Sequence, residues 1–319
     1  AFVSIYKSRT RDLLRIATEG RGILPAGDLH PDLVNRLADE AAKSAQHTLT
    51  MCVRALDYCP PVDITFGEYL RALITADYEL VPDDARGYRT AFVEAFRQHG
   101  IYPRDVRSLS QDALLWRPPD TTLRPELLQS LRPIIAPLQK RWSLDGDRHE
   151  IYATAQSVRE GLYDWVFQNR LEGLASHFGL VNCLPDGTGV LLEVSSVRPA
   201  QRSAPNGTTR FDLVIELTQC CWVDATGKEA VVANPGVPPS PDCMLFRGGC
   251  TVIIDGDHGE VRYAIIKRMD SERRQNQQRR YLNGELGTEV GLTYGGASPP
   301  ANWSQPFAMV HRAAGQGGT

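Results

Sequence analysis

Between Pro60 and Pro103 apolar residues recur at helical spacing in two runs: Phe66, Leu70, Leu73, Ile74 and Leu80, then Tyr88, Phe92, Ala95 and Phe96. Each run lays one apolar stripe along a helix. Val81-Pro82-Asp83-Asp84 interrupts them and offers an aspartate to cap the second helix, which Gly100 and Pro103 stop. The stretch therefore predicts a helical hairpin. Upstream, Ala1 to Thr18 reads as a helix with Phe2, Ile5, Tyr6, Leu13 and Ile16 on its apolar side. A helix that opens without a capping side chain leaves its first backbone donors unpaired, which predicts a chain cut from a longer protein. After a loop around Gly20-Arg21-Gly22, Pro31 suits a first helical turn. Leu33, Leu37, Ala41, Ala45, Thr48, Cys52 and Ala55 then mark the inner face of a long helix.

The second half changes period. From Tyr102 to Ser143 prolines cluster with arginine and leucine, and Pro133 and Pro137 are expected to cut any long helix, so this segment reads as a connector. Asp147 and Glu150, three apart, cap a helix with Ile151, Ala155, Val158, Leu162, Trp165 and Val166 inward, ending at Gly179. Residues 190–194 and 211–217 then alternate or run apolar as strands around an Asn206-Gly207 turn, and 250–254 and 261–266 do so around Asp255-Gly256-Asp257-His258-Gly259. The expected fold is α+β: an N-terminal helical lobe (1–105), a connector (106–146), and a domain (147–282) with a four-stranded antiparallel meander packed on a helix. Residues 283–319 lack periodicity and read as a disordered tail.

The hairpin and its approach read Arg54-Ala55-Leu56-Asp57-Tyr58, Pro61, Thr65-Phe66, Arg71-Ala72 and Ala76-Asp77, then Ala91-Phe92, Ala95-Phe96 and Gly100-Ile101. This pattern resembles the end of the helical C-terminal domain of thermolysin-like zinc metallopeptidases, the gluzincins, over residues 1–105. Glu193 to Pro199 and Phe246 to Arg268 look like extensions on uncharacterised bacterial gluzincin-like proteins. The resemblance implies a lobe that forms one wall of a peptidase cleft, in which zinc polarises a peptide carbonyl and supplies hydroxide. A gluzincin grips zinc with HExxH, because histidines four apart share one helix face. The His-Glu pair here is His149-Glu150, and Ala153 stands four after His149. The resemblance therefore places zinc, and every catalytic residue, in an upstream half that would be this chain's partner, acting on a peptide or protein substrate. No catalytic or metal-binding residue is assigned within this chain.

Composition narrows the function classes. The chain has 319 residues, 42% hydrophobic and 23% charged, with a formal net charge of −3, which fits a globular protein of about two domains and gives no electrostatic case for nucleic acid or membrane. Neither a membrane-length apolar run nor a leader pattern is present. Seven cysteines without framework spacing suit a reducing compartment, so a cytoplasmic location is expected. Cys52 and Cys59, seven apart on a helix, stand about 10 Å apart, too far for a disulfide.

The remaining chemical candidates have plainer explanations. Cys220, Cys221, Cys243, Cys250 and His258 lack zinc spacing and read as strand cysteines. His30 and His47 have no second histidine within helical reach. Asp255, Asp257 and Glu260 read as a hairpin turn rather than a calcium loop, which needs more ligands in order. Gly248-Gly249 reads as a bulge or a close backbone approach, and Lys267 to Arg280 as a solvated basic helix. No G-x-S-x-G elbow, phosphate loop or dinucleotide fingerprint occurs. Two functions follow: the C-terminal portion of a gluzincin-like peptidase, inactive alone, or a non-catalytic binding or scaffold protein that uses the edge of the meander.

Overall fold

The predicted hairpin forms as α3 (Phe66–Tyr78) and α4 (Tyr88–Gln98). The structure, a computed structural model, describes residues 1–23, 27, 29–119, 125–141, 147–169, 174–182, 189–203, 207, 209–224, 243–256 and 258–282. The expected tail and most of the Asn206-Gly207 turn lie outside these residues. A capping box opens α3: the Thr65 hydroxyl accepts from the Glu68 backbone and the Glu68 carboxylate accepts from the Thr65 backbone. Asp84 supplies the aspartate cap of α4 from three residues ahead of Gly87, its carboxylate accepting from the backbone N–H groups of Arg89 and Thr90. One expectation fails at the start of α3. Phe66 is 71% exposed, because it sits at the first helical position, ahead of the turn that faces the core; the neighbouring Gly67 instead lies so close to Pro103 that a Cβ would come within 2.7 Å of its Cα.

α1 (Phe2–Ala17) and α2 (Pro31–Ala55) pack beside the hairpin, and α5 (Gln111–Leu114) closes the group. The buried line of α2 runs through Ser44, Met51 and Ala55, while Ala45, expected inside, is exposed. Leu70, Leu73 and Ile74 of α3 are fully buried, each contributing about 1.5–3 kcal/mol by removal from water.

Four strands follow, β1 (Leu191–Ser203), β2 (Thr209–Asp224), β3 (Cys243–Asp255) and β4 (Val261–Lys267), in the order β1-β2-β3-β4 of an antiparallel meander. Alternation decides what each face meets. On one face Leu213, Ile215, Leu217, Cys250, Val252 and Ile254 share a core with α6 (Pro125–Arg141), α7 (Arg148–Asn169) and α8 (Ala175–Phe178). On the other, Ile253, Tyr263 and Ile265 share a core with Leu70, Leu73, Ile74, Tyr88 and Phe92 of the helical lobe. The expected packing of the meander on a helix is met, α7 lying against β1, and the helical lobe covers the other face as well, because both strand faces carry apolar side chains. β1 keeps its alternation through a register shift between Val194 and Ser196.

The expectation that prolines cut any long helix between Tyr102 and Ser143 is corrected, since α6 runs through Pro133 and Pro137. Both prolines are exposed, so the carbonyls they leave unpaired reach water. Leu127, Leu131, Ile135 and Leu138 on the opposite face are buried. At about 1.5–3 kcal/mol apiece their burial offsets a helix-interior proline cost of about 3 kcal/mol. The indole N–H of Trp165 on α7 donates to Ser130 of α6 at 2.8 Å. α7 begins as expected, Asp147 accepting from the backbone of His149 at 2.9 Å, and is described to Asn169; residues 170–173 lie outside the described residues, and the short helix α8 ends at the left-handed Gly179, the expected stop.

The described chain divides into two contact units. The first comprises Ala1–Asn182, Leu191–Cys220 and Arg247–Met269 and holds the three layers above. The second comprises Cys183–Val190, Cys221–Phe246 and Asp270–Thr319. Within it α9 (Glu272–Leu282), the predicted basic helix, donates from Gln278 to the Leu245 carbonyl and lays Arg274 over the Phe246 ring at 4.8 Å. Among the described residues no helix is long and apolar enough to cross a membrane.

Candidate functional site

α3 carries Arg71 one turn beyond Glu68 of its capping box, and the side chain is clamped rather than free. Its Nε donates to the Leu114 carbonyl and its Nη2 to the Leu115 carbonyl, both at 3.1 Å, and its guanidinium lies 3.8 Å over the ring of Trp116. Trp116 is held in turn: its indole N–H donates to the Tyr58 carbonyl and its backbone N–H to the Thr75 hydroxyl, each at 2.9 Å. Arg71 and Trp116 thus form a rigid wall. Among the described residues Nη1 of Arg71 makes no hydrogen bond to the backbone.

This wall borders a cleft of about 550 Å³ within the first unit. The loop after α4 contributes Asp105 and Arg107, the segment after α5 contributes Arg117, Pro118 and Pro119, α8 contributes His177, and β4 supplies Ala264 and Ile266. Asp105 holds a left-handed backbone with φ of 59°, which an aspartate tolerates better than most residues. Arg107 and Arg117 are exposed, and among the described residues neither makes a hydrogen bond or an ion pair. Burial lowers the pKa of Arg71; Glu68 and Asp105 pull it up, and the charge of Arg117 pushes it down again. Among the described residues, three guanidinium groups therefore meet one carboxylate around the cleft. Like charges left facing one another in a concavity raise the local concentration of anions.

A second concentration of charge lies between the lobe and the sheet. Arg202 pairs with Asp57 and Asp212, Arg262 with Asp212 and Glu79, Arg210 with Glu79, and Arg198 with Asp57 and Glu216. Tyr263 donates to Glu79 at 2.5 Å. Burial pushes the Asp212 carboxyl up to about 6, while Arg202 and Arg210 pull it down. The four arginines meet four carboxylates, so the charges balance and the network positions the lobe on the sheet, although the buried Nε of Arg202 has no hydrogen-bond partner among the described residues. A groove of about 600 Å³ beside α2 is lined by Lys43, His47 and Arg54, but Lys43 already pairs with Glu40 and Arg54 reaches the Ser203 carbonyl.

The sequence candidates fall outside the cleft. His30 caps α2, its Nδ1 accepting from the Asp32 backbone at 3.2 Å. His47 stacks on Tyr88 at 4.1 Å, and burial lowers its pKa. His149 and Glu150 lie exposed in the first turn of α7. Cys52, Cys59, Cys220, Cys221, Cys243 and Cys250 are free thiols; burial pushes Cys59 up to about 12 and raises Cys250 further. Asp255 and His258 form a turn, the Asp255 carboxylate accepting from the His258 backbone at 2.9 Å, and Asp257 lies outside the described residues. Among the described residues no group of three or more His, Cys, Asp or Glu is placed to hold a metal ion. At Gly248 and Gly249 the close-approach reading holds. A Cβ on Gly248 would stand 2.6 Å from the Lys267 carbonyl oxygen, and one on Gly249 2.1 Å from that of Leu217.

In the sequence Arg71 belongs to a helix pattern, and Arg107, Trp116 and Arg117 lie in the proline-rich stretch from Tyr102 to Ser143, where no spacing marks them as a site. Neither a scan against protein-family models nor searches of the curated proteins and of the solved structures returned a match to this chain.

Proposed function

We propose that this chain is a binding module that captures an anionic small molecule in the cleft between Arg71, Arg107 and Arg117. The observation that carries this reading is the pair of exposed arginines, Arg107 and Arg117, left without hydrogen-bond or ion-pair partners among the described residues and turned to the same cleft as the clamped Arg71. A volume of about 550 Å³ falls in the range of small-molecule sites, about 300–1,000 Å³. Arg71 and Trp116 are fixed by backbone partners, so little ordering entropy is lost when a ligand arrives. Guanidinium groups suit this task, since their forked donors match carboxylate and phosphate oxygens.

The alternative implied by the helical resemblance, the C-terminal portion of a gluzincin acting on peptides, places its zinc and its chemistry on residues outside this chain. The binding reading places the function on residues that are present. It also accounts for α3, whose Leu70, Leu73 and Ile74 pack in one core with Ile253, Tyr263 and Ile265 of the chain's own sheet.

Calorimetric titration of the full chain with a panel of inorganic and organic anions tests the proposal. Saturable one-to-one binding of at least one polyanion is expected, weakened at least tenfold by Arg117→Glu, since one charge-assisted contact contributes about 1.5–3 kcal/mol and the substitution also reverses its sign. Absence of saturable binding by every anion, or binding that Arg117→Glu leaves unchanged, overturns it.

A further inference from the structure

We infer that the ligand of this cleft is a phosphate monoester carried on a compact apolar body. The inference rests on the binding reading above and adds the chemical class. Charge sets the head group. Among the described residues Arg71, Arg107 and Arg117 face Asp105, three positive charges against one negative, and a surplus of two matches a dianion better than a single carboxylate or a sulfate ester. Donor supply agrees. Arg71 spends Nε and one Nη2 hydrogen on the Leu114 and Leu115 carbonyls, which leaves its Nη1 for a ligand, and Arg107 and Arg117 have their full forks to offer. A phosphate monoester brings three acceptor oxygens and a charge near −2 at neutral pH.

The rest of the cleft includes an apolar wall that a head group alone would not cover. Ile266 of β4 remains 37% exposed on its wall. It is held there by Gly179, which lies so near that a Cβ would come within 2.3 Å of the Ile266 Cγ2. Ala264, Pro118 and Pro119 extend the same apolar surface. An exposed isoleucine beside arginines gives a ligand one charged end and one greasy end to satisfy, the usual division of labour in a small-molecule site.

Competition titrations on the full chain test this with four probes: inorganic phosphate, phenyl phosphate, phenyl sulfate and benzoate. Phenyl phosphate is expected to bind at least tenfold tighter than each of the other three, and Ile266→Ala to weaken phenyl phosphate several-fold while leaving inorganic phosphate within twofold. The protein groups that face the head group are Arg71, Asp105, Arg107, Arg117 and His177, with Glu68 behind Arg71. Their own titration acts on both phenyl esters, so the ratio of phenyl phosphate to phenyl sulfate affinity isolates the ligand. That ratio is expected to fall about tenfold between pH 7.5 and pH 5, because the second phosphate ionisation lies near pH 6. If anions bind the cleft but phenyl sulfate or benzoate equals phenyl phosphate, or the ratio is flat with pH, the monoester inference falls while the anion site survives. If inorganic phosphate equals phenyl phosphate, the apolar body is refuted. If no probe binds, both readings fail together.

Discussion

Arg89→Met is expected to destabilise the protein by about 3–5 kcal/mol, the cost of orphaning one member of a buried ion pair. Arg89 is 1% exposed and Asp77 5%. The guanidinium donates to Asp77 at 2.8 Å, to the Val81 and Pro82 carbonyls at 2.6 and 2.7 Å, and to Gln111 at 2.8 Å. One side chain therefore ties α3, the turn, α4 and α5 together. Methionine keeps much of the volume but leaves Asp77 and two carbonyls without donors. Burial already raises the pKa of Asp77 against the pull of Arg89, and losing the arginine raises it further. A carboxyl whose folded pKa lies above its unfolded value favours folding while protonated, and that stability is lost as pH rises through the folded pKa. The deficit of Arg89→Met, measured by urea unfolding, is thus expected to be larger at pH 7 than at pH 4. Arg89→Met combined with Asp77→Leu should recover part of it, since removing both charges deletes the uncompensated one. A deficit under 1 kcal/mol that is flat with pH contradicts this account of the hairpin.

The second large effect is expected at the centre of the sheet. Gly249→Ala places a Cβ 2.1 Å from the Leu217 carbonyl oxygen and 2.9 Å from the Thr218 Cα, at a φ of 146°. The obstacles are backbone atoms of β2, so no rotamer relieves them. Backbone strain of about 1–3 kcal/mol adds to an overpacking cost of about 1–3 kcal/mol. A loss of roughly 3 kcal/mol or more is expected from thermal or denaturant unfolding. Gly207→Ala serves as the control. It has a positive φ of 83° but open space around it, so its cost should stay near 1 kcal/mol. Equal losses at the two positions would mean that conformation alone, rather than the approach of β2, requires glycine at 249.

The parts of the fold legible from the sequence are those with a clean local period. The α3–α4 hairpin and the four strands follow from spacing that neighbouring residues impose on one another, and Asp84 and Asp147 announced their helix starts through short-range hydrogen bonds. α6 was not legible, because Pro133 and Pro137 argue against a helix locally while the burial of Leu131 and Ile135 is decided by α7 and the sheet. The helical lobe on the second sheet face was missed for a related reason. Ile253 sits in the continuous apolar run Val252-Ile253-Ile254, which reads alike whether one face or both are covered, and the residues that cover it, Leu70, Leu73 and Ile74, come from a distant part of the chain. The cleft is the extreme case. Its arginines come from α3, the loop after α4 and the segment after α5, and nothing in their spacing signals that they face one another.

A difference electron-density map from crystals of the full chain grown with phenyl phosphate tests the central claim most directly. The account predicts one phosphate peak within hydrogen-bond reach of Arg107, Arg117 and Nη1 of Arg71, with the ring against Ile266. A phosphate peak at any other place on the chain, with the Arg71 cleft empty, would contradict it.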